Sequence, residues 1–183
     1  MIFLSADFRT DLVIIRKVGG KFFTINEKNF DKLISGRTIS MAVEQGKKAD
    51  YWLIDIDHPV DSTENDKKMV LEDVLNFVKV QPSIKRTRVA TTSTSYHVYG
   101  YLKQKMDINT TRKSLEHLLK SHFGNKYYVN KKGKKDRFNL DLSSMTPRGG
   151  HTVIGALNRN GLKCIDITNN WRQLRRTDLK VPR

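Results

Sequence analysis

Three acidic positions break into apolar, strand-like runs of this chain: Asp55 and Asp57 in "YWLIDIDHPV", residues 51–60, and Asp141 in "FNLDLSS". Side chains alternate across a β-strand, so Asp55 and Asp57 share one face while Ile54 and Ile56 share the other. Two carboxylates side by side repel and resist ionising together unless a cation lies between them, which makes a divalent metal the economical explanation. Three carboxylates without thiolates suit a hard cation, magnesium or manganese, rather than zinc. Each acid taken singly has an ordinary alternative: Asp55 and Asp57 could cap the turn at Pro59, and Asp141 could face solvent on an edge strand. His97, in "STSYHVYG", is a further polar interruption of an apolar strand. A lone strand histidine is more often a satisfied or half-exposed side chain than a catalytic one.

The segments that must position these residues mix both secondary-structure periods. "DLVIIRKVGGKFFTIN" reads as a hairpin turning at Gly19-Gly20. "NEKNFDKLISG" reads as a short helix capped by Asn26, with Phe30, Leu33 and Ile34 on one face and Gly36 past its end. After the aspartate strand, "DKKMVLEDVLNFVKV" carries Met69, Val70, Val74, Phe77 and Val78 near helical spacing. "KRTRVATTSTSYHVYGYL" predicts two strands with a turn near Thr92 to Ser95. "NTTRKSLEHLLKSHFGN" predicts a helix with Ile108, Leu115, Leu118, Leu119 and Phe123 apolar and Gly124 ending it. "FNLDLSSM" and "HTVIGAL" read as closing strands, and "LKCIDIT" as an additional one. The pattern predicts an α+β fold, a mixed or antiparallel sheet flanked by helices.

Composition narrows the partners. The 183 residues, 38% of them hydrophobic, suit one domain over 1–183 with its own core. Lys plus Arg number 34 against 19 Asp plus Glu, a formal charge of +15, which points to nucleic acid first. Membrane is the competitor, but no apolar run approaches the ~20 residues of a spanning helix, and "MIFLSADFRT" lacks a basic segment before an apolar core. A soluble, cytoplasmic protein is the expectation. The single cysteine, Cys164, excludes an internal disulfide and a zinc site built on several thiolates, and reads as a small core residue.

The order of the motifs resembles the archaeo-eukaryotic primase superfamily, including the primase-polymerases of phages and plasmids. The shared order is a D-x-D at a strand end (Asp55, Asp57), then a small residue, any residue and histidine (Ser95 to His97), then an apolar residue with aspartate (Leu140, Asp141). The segment "SSMTPRGGHTVIGALNRNG" is similar to the Arg/Gly turn leading into a G-x-L-N strand in many of those proteins, so the resemblance runs from Asp55 to Asn158. It implies an RRM-like catalytic core in which Asp55, Asp57 and Asp141 hold two divalent metals and Ser95 and His97 contact the triphosphate of the incoming nucleoside triphosphate. It implies a primase or primase-polymerase working on a single-stranded DNA template and primer. A separate helicase or other replication protein would be its partner, and a phage or plasmid its source. The chain departs from many primases in lacking the cysteines of a zinc element, the length of a fused helicase and the helicase loop G-x-x-x-x-G-K-[ST]. Either it is a minimal catalytic core or it extends ends without initiating them.

The basic residues divide between two readings. Arg148, beside Gly149 and Gly150, suits a phosphate, because glycine lets the backbone approach and arginine binds phosphate oxygens bidentately; a solvated turn arginine is the alternative. Arg86 and Arg88, on the strand leading toward His97, offer the same choice. Lys131, Lys132, Lys134, Lys135 and Arg137 surround Gly133 as a solvated hairpin tip that could also hold template phosphates. Trp171 and Arg172, with Arg175 and Arg176, read as a helix whose indole packs on the core more simply than it stacks on a base. Two other classes stay open: a metal-dependent nuclease, which leaves "SYH" unexplained, and a non-catalytic DNA-binding replication protein on the same fold. An HUH-type initiator is disfavoured, since no His-x-His pair occurs.

Overall fold

The computed structural model describes residues 14–18, 21–25, 40–44, 47–91, 95–131, 133, 135–147, 150–152, 154 and 164–173. The smaller of two sheets has the strand order β2-β1-β3-β9, built from β1 (Ile14–Val18), β2 (Lys21–Ile25), β3 (Ser40–Glu44) and β9 (Gly150–Thr152). Val18 pairs with Lys21, leaving Gly19 and Gly20 between the two strands, as the hairpin signal predicts. The larger sheet has the order β10-β5-β6-β4-β8-β7, from β4 (Lys48–Asp57), β5 (Ile84–Thr91), β6 (Tyr96–Asp107), β7 (Tyr128–Val129), β8 (Asn139–Asp141) and β10 (Ile165–Asp166). Its pairs are antiparallel except β7 with β8, so the α+β fold with a mixed sheet is what forms.

Two helices, α1 (Glu64–Lys79) and α2 (Ile108–Phe123), cover one face of the larger sheet. A reciprocal capping box starts α1: Asp66 N–H donates to Thr63 Oγ1 at 3.1 Å and Thr63 N–H donates to Asp66 Oδ2 at 2.9 Å. Asp107 caps α2, accepting from Thr110 N–H at 2.9 Å. The buried stripe of α1, Val70, Leu71, Val74, Leu75 and Val78, shares the core with Trp52, Ile54, Ile56 and Val98 of the central strands. Each such side chain stabilises by roughly 1.5–3 kcal/mol. Phe77 of α1 meets Phe123 of α2 with ring centroids 5.4 Å apart, which joins the helices into one layer. This arrangement leaves the opposite face, carrying Asp55 and His97, for other use.

Several local expectations change. Met69 is 51% exposed and Leu118 37%, because each falls outside the stripe its helix buries. The basic segment before β8 is not a hairpin tip: β7 and β8 run parallel, and Asn130 and Gly133, with φ of 55° and 73°, turn the chain between them. The "HTVIGAL" strand joins β3 in the smaller sheet, since its described part, β9, pairs there. Residues 168–173 form turns rather than a helix, and Trp171 is buried in the core, as is Cys164. The helix expected over residues 26–36 lies outside the described residues.

Gly100 marks where α1 and the sheet press closest. A Cβ there would sit 2.7 Å from Val78 Cγ1 and 3.0 Å from Ile84 Cδ1, both branched side chains held in the core. Gly100→Ala is predicted to destabilise by about 1–3 kcal/mol in chemical denaturation. Val78→Ala in the same chain should recover part of that loss, whereas independent additive losses would show that the contact does not limit the packing.

Candidate active site

Strand β4 runs through the middle of the larger sheet and ends at Asp57. Its register places Asp55 opposite His97 of β6 on one side and opposite Asp141 of β8 on the other, while Asp57 pairs with Asn139. Directly paired residues of antiparallel strands present side chains to the same face, with Cβ atoms roughly 4.5–5.5 Å apart. Three carboxylates, one imidazole and one carboxamide are therefore gathered on the face away from the helices. Ser95 follows, because it lies two residues before His97, and its Oγ stands 3.2 Å from His97 Nε2. Thr91 Oγ1 fixes Ser95 by donating to its carbonyl at 2.9 Å.

The carboxylates are held by polar neighbours. Asn139 is buried and donates from Nδ2 to Asp57 Oδ2 at 3.2 Å, while its Oδ1 accepts from Lys131 N–H at 3.0 Å. Asp141 accepts from Ser143 N–H at 2.9 Å and from Ser143 Oγ at 2.6 Å. Asp55 differs. Its Oδ1 is shut off from solvent with no hydrogen-bond partner, and His97 Nε2 lies 3.5 Å away, close enough for attraction but too far for a bond.

Burial first, then the charges of Asp57 and Asp141, push Asp55 up to about 8, against a smaller opposing pull from Ser95. Burial also raises Asp57, partly offset by the Asn139 bond. Burial lowers His97 to about 4 and, with help from His97, lowers His151 to about 3, so both rings are neutral near pH 7. His97 thus has a single N–H to offer, not the two of an imidazolium.

The floor beside the carboxylates is aromatic. Tyr51 and Tyr99 lie with ring centroids 5.6 Å apart, and each ring is 5.7 Å from His151 on β9, where the smaller sheet meets the larger. Tyr51 Oη and His151 Nε2 are 3.2 Å apart.

Neither a protein-family model nor a curated protein sequence matches the chain. Among solved structures it is similar to the polymerase domain of Mycobacterium tuberculosis Ligase D in complex with DNA. That likeness has a TM-score of 0.68 at 11% identity and covers 98% of this chain and 69% of that one. It is also similar to the AEP domain of the cyanophage S-2L primase-polymerase, with a TM-score of 0.56, 10% identity, and coverage of 93% of this chain and 87% of that one. The fold is that of archaeo-eukaryotic primase-polymerase domains.

On that fold the expected residues are partly brought together. Asp55, Asp57, Asp141, Ser95 and His97 meet. Arg86 and Arg88 lie on the same face, paired with Tyr101 and Tyr99 on β6. Lys131, Lys135 and Arg137 are exposed on the segment joined to Asp57 through Asn139. Arg148, Lys132, Lys134, Arg175 and Arg176 lie outside the described residues, as does the turn expected near Thr92 to Ser95 except Ser95 itself. Sequence reasoning missed Asn139, whose signal was its place two residues before Asp141, and missed Ser143, Tyr99 and His151. Among the described residues, no helix is long and apolar enough to cross a membrane.

The residues fit a hard divalent cation on their own chemistry. The donors are carboxylate oxygens, one of them a buried oxygen with no partner, and burial penalises the negative charge that a cation would compensate. Among the described residues, no three acidic, histidine or thiol groups converge as a ready-made cluster, since Asp57 and Asp141 turn toward Asn139 and Ser143. An ionised carboxylate has about four lone-pair sites, so those bonds leave acceptor capacity.

The sign of the Asp55 shift gives a prediction in chelator. Folding raises this acid from 3.8 to about 8, so the folded chain keeps a proton that the unfolded chain releases, and stability drops as pH rises between those values. Asp55→Asn removes the titration. Its melting temperature should match the wild type near pH 4 and exceed it by at least ~3 °C near pH 8, on the scale of about 1 kcal/mol. A gain that is flat across that range would contradict the shift.

Proposed function

We propose that this domain is a template-directed nucleotidyltransferase, a DNA primase or primase-polymerase, that uses divalent metal to make or extend primers on single-stranded DNA. The observation that carries the reading is the pairing of Asp55 with both His97 and Asp141, with Asp57 next along the strand. Asp55, Asp57 and Asp141 would hold magnesium or manganese. A divalent cation held there would supply Lewis-acid chemistry for attack by a primer 3′-hydroxyl and departure of pyrophosphate.

The chain's own groups supply the remaining parts. Neutral His97 can donate one N–H to a phosphate oxygen, and Ser95 Oγ can donate beside it. Asn139 fixes Asp57 and Ser143 fixes Asp141, so the carboxylates are oriented before any ligand arrives. The aromatic floor excludes water, which strengthens each charge interaction above it. A nuclease needs carboxylates but no contact to a triphosphate, which is the role that Ser95 and His97 beside the carboxylates would fill, so their juxtaposition favours the polymerase reading. Both solved relatives are named as polymerase domains, which supports it at the level of fold.

A gel assay on single-stranded DNA with magnesium or manganese, with and without a labelled primer, tests the proposal. Wild type should yield new or longer strands and Asp55→Ala/Asp57→Ala none. Asn139→Ala, which keeps all three carboxylates, should need roughly 10–100 times more metal for the same yield. Shortened input DNA would replace the proposal with the nuclease, and retained DNA binding without product with a non-catalytic module.

A further inference from the structure

A cleft of about 450 Å³ opens at the β5 edge of the larger sheet, lined by Arg86, Thr87, Arg88, Tyr101, Asp166 and Thr168, among others. It lies on the same face as the carboxylates, because Arg86 pairs with Tyr101, Arg88 with Tyr99 and Ala90 with His97. Tyr101 stands four residues beyond His97 on β6, about 13 Å along the strand. The cleft therefore shares the site's face and is separate from it.

Its arginines are pre-oriented. The register shift between Ile84 and Arg86 sets Arg86 opposite Tyr101, and its guanidinium carbon lies 4.2 Å from that ring's centroid. Arg88 is steered by Asp166, with Nε 2.9 Å from Oδ2. Asp166 is itself held at Oδ1 by Thr168 N–H at 2.9 Å and Thr168 Oγ1 at 2.6 Å. Thr168 Oγ1 also accepts from Val89 N–H at 3.0 Å, standing where a further strand residue would be. β10 covers β5 only at Ala90 and Thr91, so no described strand lies along the outer edge of Ile84 to Arg88.

We propose that this cleft anchors single-stranded nucleic acid as it leaves or approaches the carboxylates, one base stacking on the Arg86–Tyr101 pair and a phosphate lying against Arg88. The inference rests on the polymerase reading for its direction but not for its chemistry. Aromatic and guanidinium planes stack on any base, and an arginine fork fits phosphate oxygens, so binding is insensitive to sequence and falls with salt. A mononucleotide-sized volume suits one base with its phosphate.

The test is fluorescence anisotropy of a labelled oligothymidylate in EDTA, over a series of salt concentrations. Arg86→Gln/Arg88→Gln should weaken binding about tenfold and make the log–log salt slope shallower by roughly 1, for one to two lost phosphate contacts. Arg88→Lys, which keeps the charge, should keep the wild-type slope. Independently of any variant, an oligonucleotide carrying 5-iodouracil should photocrosslink to Tyr101 in the wild type. Unchanged affinity and slope in the double variant, or crosslinks confined to the Lys131 to Arg137 segment, would overturn the cleft whether or not the domain extends primers. Wild type that makes no product but still binds and crosslinks as described would defeat the polymerase reading and leave the cleft standing.

Discussion

The burial of Asp55 beside the charges of Asp57 and Asp141 is the constraint on which the rest of the site depends. Three acids on adjacent strands, with one carboxylate oxygen sealed from water, form a costly device that a soluble core would not gather by chance. The fold accommodates it by dividing the larger sheet into two faces of opposite character. One is packed against α1 and α2 so closely that only glycine fits at position 100. The other carries the carboxylates beside tyrosine and histidine rings.

The surrounding charge completes the device. A chain of net charge +15 that brings three acids together on two adjacent strands sets a negative point within a positive field. Such a field draws in polyanions and cations to different places. In the function proposed above, nucleic-acid phosphates would lie along the basic segment before β8 and the arginine edge at β5, which flank β4 on either side within the sheet. The acids favour divalent cations. Asn139 ties the first of those flanks to the site, since one carboxamide bridges the Lys131 backbone and the Asp57 carboxylate.

Much of this was legible in residue order. Strand alternation alone puts Asp55 and Asp57 on one face, and the helices at 64–79 and 108–123 follow from apolar spacing, the second also from Gly124 past its end, while their N-caps Thr63 and Asp107 were not read. What stayed hidden depended on register and on long-range partners. Nothing local says that Asp55 stands opposite His97 and Asp141 at once, since that requires β4 to lie between β6 and β8. The parallel pairing of β7 with β8 was misread because a glycine among lysines resembles a hairpin, whereas the turn also uses Asn130 at positive φ. His151 and Tyr51 are 100 residues apart and meet only because the smaller sheet returns to the larger. Met69 and Leu118 looked like core from spacing alone, but the buried stripe on each helix is narrower than its apolar count.

The measurement that bears most directly on the central claim is anomalous diffraction from crystals soaked in manganese with a non-hydrolysable nucleoside triphosphate. The account predicts manganese peaks bonded to oxygens of Asp55, Asp57 and Asp141 at about 2.0–2.2 Å, with phosphate oxygens completing the shell and the triphosphate within reach of Ser95 and His97. A nucleotide bound elsewhere on the sheet, or manganese that ignores these carboxylates while the protein remains folded, would contradict it.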